Sequence, residues 1–178
     1  AELPYGLSQM DTGVSAGSIG TPPTVTIMHP SKPFLYFFDG TLLRRFTVDE
    51  NTDSSISLRT IAGTPTATSG PFAGTNVMDV NFLAPQDMEW SLAEDLIILC
   101  SHYVVRVVLD TAGLATSVTI IAGSPAVQSA PRDGSALFAI FQSPSWIVNI
   151  KDLTEEGTDL FMIGGDKTTP PTSMPSRD

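Results

Sequence analysis

The sequence predicts an all-β fold built from repeated units of four short antiparallel strands, and two observations predict it. The apolar residues come in runs of four to six that are rich in Val, Ile, Leu, Phe and Tyr, each bounded by Gly, Pro, Asp, Asn, Ser or Thr. This is the pattern of short strands joined by turns. The second observation is a repeat of about 60 residues, in which three landmarks recur in the same order.

Two hairpins and several single strands account for the apolar residues in the middle of the chain. One hairpin turns at Asp39-Gly40, a dipeptide suited to a tight turn with positive φ, and the other turns around Cys100, Ser101 and His102. The segment Met88–Ile98 is the one candidate helix, but it has neither a cap nor a helical apolar stripe. The strand segments are Thr24–Met28, Phe34–Phe38, Leu42–Phe46, Leu96–Leu99, Tyr103–Val108 and Ser117–Ile121.

The repeat determines which all-β architecture is expected. Ile61-Ala62-Gly63 recurs 60 residues later as Ile121-Ala122-Gly123, and Phe82-Leu83-Ala84-Pro85 recurs 59 residues later as Phe141-Gln142-Ser143-Pro144. The third landmark is the hairpin Phe34–Phe46, which recurs as Leu96–Val108 and places Arg45 at the position of Arg106, 61 residues later. The first strand of that hairpin appears a third time in Asp159–Asp166. Four strands in each unit are the content of a β-propeller blade.

The repeat also predicts how the chain is organised. We expect an irregular segment over residues 1–21, propeller blades over 22–166 and a Pro/Thr-rich tail over 167–178. The blades are residues 22–63, 85–123 and a partial one at 144–166. The innermost strand of each blade should be the one that follows the proline, and the outermost should end at Ile-Ala-Gly. The predicted innermost strands are Val25–Met28, Met88–Trp90 and Ile147–Ile150.

These motifs resemble the NHL-repeat β-propellers. Asp133, Gly134, Ala139, Phe141 and Pro144 fall at the spacings of that family's blade motif, and a looser match one repeat earlier lacks the Asp-Gly pair. The looser match consists of Gly74, Phe82 and Pro85. Two further positions of the family's motif are matched. Its third-strand arginine corresponds to Arg45 and Arg106. The aspartate that ends its second strand corresponds to Asp39 in the first unit and Asp166 in the third, and Cys100 replaces it in the second.

The resemblance implies a ring that usually has six blades, so the chain corresponds to about half of one. At ~60 residues per blade, two and a half blades would leave apolar strand faces and edges exposed. We therefore expect the remaining blades to come from the same longer polypeptide or from another chain. The segment Lys151–Gly157 is an insertion relative to the other units. It overlaps the acidic run Asp152–Asp159, which is either a solvated loop or a binding loop.

Composition excludes several classes of protein. The chain has 178 residues, 42% of them apolar, and 19 acidic against 9 basic side chains, for a net charge of −10. This charge argues against a nucleic-acid partner. The single cysteine rules out an intrachain disulfide framework and a Cys-rich zinc site. No apolar run approaches the ~20 residues that span a bilayer. The start at Ala1 and the Pro/Thr-rich tail lean toward an extracellular or cell-surface location.

The sequence offers few catalytic groups, and we predict no catalytic residue. His29 and His102 are too few for a zinc site. Cys100 lies at a strand end among apolar residues, where a buried inert thiol is the expected state, and His102 two positions along is the only base near it in sequence. The recurrence of Arg45 and Arg106 at one position in the blade indicates a salt bridge or a packing role.

Two functions from different classes remain open. The first is non-enzymatic protein–protein recognition, as a receptor or scaffold segment without a cofactor. The alternative is a metal-dependent hydrolase or lyase whose site is completed by blades outside this chain. For this alternative, the resemblance to lactonase-like propellers implies calcium in the central channel, and Asp87, Glu89 and Asn149 are the candidate ligands.

Overall fold

The structure is a computed structural model that describes residues 23–48, 56–65, 76–125, 135–139, 141, 143–150 and 158–165. These residues form three antiparallel sheets of four, four and two strands, and the only helical segments among them are two short 3₁₀ turns. The predicted all-β class is therefore confirmed. The sheets follow one another as blade-like units, and the described strands do not close a ring.

Ten strands make up the three sheets, and each sheet contains strands in chain order. Sheet one consists of β1 (Thr26–Met28), β2 (Phe34–Asp39), β3 (Leu42–Val48) and β4 (Ile56–Ala62). Sheet two consists of β5 (Asp87–Trp90), β6 (Leu96–Leu99), β7 (Tyr103–Leu109) and β8 (Ala115–Gly123). Sheet three consists of β9 (Pro144–Asn149) and β10 (Phe161–Gly165), and the two 3₁₀ turns are Val77–Asp79 and Ala136–Phe138.

Sheets one and two are equivalent in register, as the repeat requires. Tyr36 pairs with Arg45 in the first hairpin, and Ile97 pairs with Arg106 in the second. Each sheet also has an irregularity in the pairing of its third and fourth strands at the same point, after Leu43 in sheet one and after Val104 in sheet two. The repeat therefore extends to the local distortion of the strands.

Alternation along β6 divides the core into two layers. Leu96 and Ile98 belong to the cluster between sheets one and two, whereas Ile97 and Leu99 belong to the cluster between sheets two and three. Successive side chains of a strand point to opposite faces, so an uninterrupted apolar strand needs a neighbouring sheet on both sides. β6 is buried at all four positions, which means that sheet two is packed from both sides.

The Ile-Ala-Gly landmark ends the outer strand of each complete sheet, as predicted, and the structure shows why glycine stands there. Gly63 and Gly123 have φ of 99° and 76°. A Cβ at Gly63 would collide with the carbonyl oxygen of Thr41, and one at Gly123 would collide with that of His102. The rings of Phe82 and Phe141, from the start of the following unit, lie against these two glycines.

Of the other predictions about local structure, the candidate helix is wrong, whereas the inner strands and the second hairpin are confirmed. The candidate helix Met88–Ile98 is not helical, because β5 and β6 occupy it with a tight turn at Ser91–Asp95. The inner strands lie where predicted, with small shifts at their ends. The second hairpin turns at Cys100–Tyr103, as expected. In the described part of the chain no helix has the length and apolar character needed to cross a bilayer.

Several predicted features lie outside the described residues. They are the segment 1–21, the tail 167–178, the insertion Lys151–Gly157, and the motif residues Gly74, Asp133, Gly134 and Asp166.

We predict that Gly63→Ala destabilises the fold much more than Gly40→Ala. Both glycines have positive φ, where a Cβ costs roughly 1–2 kcal/mol. Gly40 has open space around it, but Gly63 meets the backbone of Thr41 and Leu42, which adds roughly 1–3 kcal/mol of overpacking. Denaturant unfolding of the two variants measures the difference. Equal losses of unfolding free energy would contradict the close approach of the backbone at Gly63.

Candidate protein-recognition surfaces

Sheet three exposes the face that the other two sheets bury. By strand register, Met162 of β10 occupies the position of Tyr36 in β2 and Ile97 in β6, since each pairs with the equivalent residue of an inner strand. Tyr36 is fully buried and Ile97 is 2% exposed, whereas Met162 is 41% exposed. Met162 therefore lies where a further sheet would pack, and no described residue covers it to the same degree.

The side chains around Met162 make this face apolar. Val148, its cross-strand partner, is 38% exposed. Trp146 pairs with Gly164, and its indole lies over that glycine so closely that a Cβ there would collide with it. We call Trp146, Val148, Met162 and Gly164 the open face of sheet three. No described strand pairs with the outer edge of β10, and its residues Phe161–Gly165 include neither proline nor a charged side chain.

Neighbouring sheets are tied together at the ends of their inner strands by a hydrogen bond that repeats. Trp90 Nε1 donates to the carbonyl of Met28 at 2.8 Å, and Asn149 Nδ2 donates to the carbonyl of Trp90 at 2.9 Å. Met28, Trp90 and Asn149 end equivalent strands. The side chain of each following unit thus binds the backbone of the preceding one, an interaction that the sequence repeat did not reveal because the two donors differ chemically.

The three residues considered as calcium ligands take part in backbone hydrogen bonds. Asp87 Oδ2 accepts from the N–H of Ile147 at 3.0 Å, which links β5 to β9. Glu89 Oε1 accepts from the N–H of Trp90 at 2.7 Å. Asn149 Oδ1 is buried and has no hydrogen-bond partner among the described residues. Among the described residues there is no group of three or more His, Cys, Asp or Glu side chains arranged to hold a metal ion.

At one end of the strands, the connection after β1 meets the connection after β5. Ser31 Oγ donates to Glu94 Oε1 at 2.9 Å, and the N–H of Ser31 donates to His29 Nδ1 at 3.1 Å. Glu94 has φ of 59°, an uncommon conformation for a residue with a side chain. Lys32 extends the contact to the turn after β7, where its Nζ donates to the carbonyl of Thr111 at 3.3 Å. These bonds join the two sheets at this rim.

His29 lies beneath the rim among aromatic rings. Its ring centroid is 4.8 Å from that of Trp90 and 6.0 Å from that of Phe34, and its side chain is almost fully buried. Burial lowers the pKa of His29, and Lys32 contributes in the same direction, while Glu94 opposes the shift. At neutral pH the ring is therefore uncharged, and its Nδ1 can accept the hydrogen bond from Ser31.

The same rim exposes large apolar side chains at the end of β1, in the turn after β5 and just before β10. Met28 is 58% exposed, Leu92 44% and Leu160 46%. The N–H of Leu92 donates to Asp159 Oδ1 at 2.8 Å, and Asn149 Nδ2 donates to the same oxygen. We call Met28, Leu92, Glu94, Asp159 and Leu160 the rim patch.

Cys100 and His102 do not form a catalytic pair. Cys100 is fully buried, and this burial raises the pKa of its thiol to about 12, a shift that its hydrogen bond with Tyr103 only partly opposes. His102 Nδ1 instead donates to the carbonyl of Phe141 at 3.2 Å. The prediction of a buried thiol is confirmed, and Cys100 and His102 lie at the turn between β6 and β7.

The two arginines at the repeated position have different partners. The guanidinium of Arg45 lies 4.6 Å from the centre of the Phe34 ring, and its Nη1 donates to the carbonyl of Ala112 in the next sheet. Arg106 binds the carboxylate of Asp95, with Nε 2.6 Å from Oδ2. Both have structural roles, one between sheets and one within a sheet. Asp39 likewise pairs within its hairpin, with Oδ2 2.7 Å from Arg44 Nη2.

We predict that acid weakens the fold through His29. Its pKa in the folded state lies below the ordinary value of 6.5, so as the pH falls below about 7 the unfolded chain binds a proton that the folded chain does not. The free energy of unfolding should therefore decrease over this range. His29→Gln, which keeps an acceptor for the N–H of Ser31, should show a smaller decrease, as measured by denaturant unfolding at several pH values. Identical pH profiles would contradict the assignment.

We compared the chain with known protein families, curated proteins and solved structures. No protein-family model, curated protein or solved structure matches this chain. The all-β architecture stands on the structure, and the likeness to NHL-repeat propellers depends on the motifs named above.

Proposed function

We propose that this chain is a non-enzymatic protein-recognition segment of an NHL-like β-propeller. In this proposal the open face of sheet three receives further blades, supplied by the same longer polypeptide or by another chain. The segment acts as part of a receptor or scaffold and carries out no chemistry of its own.

The exposure of Met162 carries this proposal. Its equivalents Tyr36 and Ile97 are each buried by the next sheet in order, so we expect a further sheet to bury Met162 in the same way. Val148 and Trp146 extend the apolar area on that face. The unprotected edge of β10 supports the same conclusion, because natural edge strands usually carry charges or prolines that prevent pairing with another chain.

The chemistry of the described residues favours recognition over catalysis. The one thiol is buried and strongly disfavoured as a thiolate. His29 is enclosed by aromatic rings, and His102 is bound to a backbone carbonyl. The inner-strand residues Asp87 and Asn149 hold the adjoining strands together. The net charge of −10 argues against an RNA partner.

We predict that the isolated chain associates as its concentration rises, and that Met162→Lys suppresses the association. A lysine on the open face brings a charge into the apolar contact, where it would be desolvated. Sedimentation velocity measures the effect. Leu137→Lys is the matched control, since Leu137 is also an exposed apolar residue but lies on the second 3₁₀ turn.

The accessibility of the open face can be measured independently. In Met162→Cys the new thiol should react with a thiol reagent in the native state, while Cys100 reacts only on unfolding because it is buried. A wild-type chain that remains monomeric and unfolds cooperatively would contradict the proposal, as would a protected thiol at position 162 in that monomer.

The hydrolase or lyase alternative makes a different prediction for the full-length protein. Under the recognition hypothesis, calorimetric titration with calcium should show no stoichiometric binding that depends on the inner strands. Tight binding that is lost in both Glu89→Gln and Asn149→Ala, but retained in the control Asp79→Asn, would support the alternative. Asp79 is a suitable control because it is exposed on the first 3₁₀ turn.

A further inference from the structure

The rim patch has a fixed shape because hydrogen bonds connect the three segments that carry it. Trp90 Nε1 binds the carbonyl of Met28, and the N–H of Leu92 binds Asp159. Ser31 holds Glu94 at 2.9 Å. A surface that is already ordered loses little conformational entropy on binding, which favours affinity.

The patch combines apolar side chains with carboxylates that lack a cationic partner among the described residues. Glu94 accepts from the hydroxyl of Ser31 and faces an uncharged His29. Asp159 accepts from the N–H of Leu92 and the amide of Asn149. Both carboxylates are thus oriented by neutral donors.

The two nearest cations in the described part of the chain have other hydrogen-bond partners. Lys32 donates to the carbonyl of Thr111 on the side of the turn after β7, and Arg106 is paired with Asp95. Neither Glu94 nor Asp159 is therefore paired with a lysine or arginine among the described residues.

From this arrangement we propose that the rim patch binds a positively charged protein segment that places apolar side chains on Met28, Leu92 and Leu160 and basic groups at Glu94 and Asp159. Exposed apolar residues between charges are typical of recognition surfaces, where apolar anchors supply affinity and charges select the partner. This inference rests on the proposed role in protein recognition, but it concerns a surface separate from the open face of sheet three.

A defined probe tests the chemistry without requiring the natural partner. The probe is a short fluorescein-labelled peptide of alternating arginine and leucine, and its binding to the chain is followed by fluorescence anisotropy. Two matched peptides accompany it, one with serine in place of leucine and one with glutamate in place of arginine. The arginine–leucine peptide should bind most tightly, and added salt should weaken it.

Substitutions then locate the binding. Leu92→Ser should weaken binding of the arginine–leucine peptide by about fivefold or more, a loss that only the energetically important minority of interface residues produce. Glu94→Gln, which keeps the acceptor for Ser31, should weaken it by about threefold, as expected for an exposed charge pair. Leu137→Ser and Asp79→Asn make the same chemical changes on the 3₁₀ turns, at the opposite end of the strands, and should have little effect.

The results that overturn the inference are specific. Equal weakening by Glu94→Gln and Asp79→Asn would mean that the peptide responds only to net charge. Unchanged binding in Leu92→Ser and in Met28→Ser would mean that the apolar residues do not contribute. Met162→Lys should leave peptide binding unchanged, so failure at the rim and failure at the open face of sheet three are distinguishable.

Discussion

Packing of one sheet against the next is the interaction on which the rest of this structure depends. A strand that is apolar at every position has two faces to bury, and β6 buries both because sheets one and three lie on either side of it. Sheet one supplies Tyr36 and Phe38 to this packing, and sheet three supplies Ile147. β10 also has two faces to bury, but Met162 on one of them is far more exposed than Tyr36 and Ile97 at the equivalent positions. The open face of sheet three is thus a consequence of the repeat itself.

Hydrogen bonds at the ends of the inner strands fix how neighbouring sheets are placed against one another. Backbone carbonyls at the ends of β1 and β5 accept hydrogen bonds from Trp90 and Asn149, so each inner strand is positioned by the next. The connections beyond these ends are held by Ser31, Glu94 and Asp159, and they form a surface whose shape follows from the sheets below it. The hydrogen bonds that join the sheets at this end of the strands therefore also orient the exposed carboxylates of Glu94 and Asp159.

Much of the fold could be predicted from the sequence, because a pattern that occurs twice reveals strand number, hairpin position and the order of strands within a sheet. Even the glycines at the ends of β4 and β8 follow from the repeat. Contacts between sheets could not be predicted in the same way. Arg45 and Arg106 share a repeat position but differ in partner, since Arg45 reaches a turn in the next sheet and Arg106 binds Asp95 in its own. The contact of Ser31 with Glu94 joins residues 63 positions apart that no motif connects, so the rim patch appears only in three dimensions.

Hydrogen–deuterium exchange of the isolated 178-residue chain tests the central claim most directly, since amide protection reports how well each strand is covered and paired. A sheet with neighbours on both sides should exchange most slowly, so we expect the greatest protection in β6 and β7. The amides of β10 should exchange much faster, because one edge of that strand has no described partner and one face is exposed. Protection in β10 equal to that in β7, in a chain shown to be monomeric, would mean that sheet three is complete without further strands and would contradict the account.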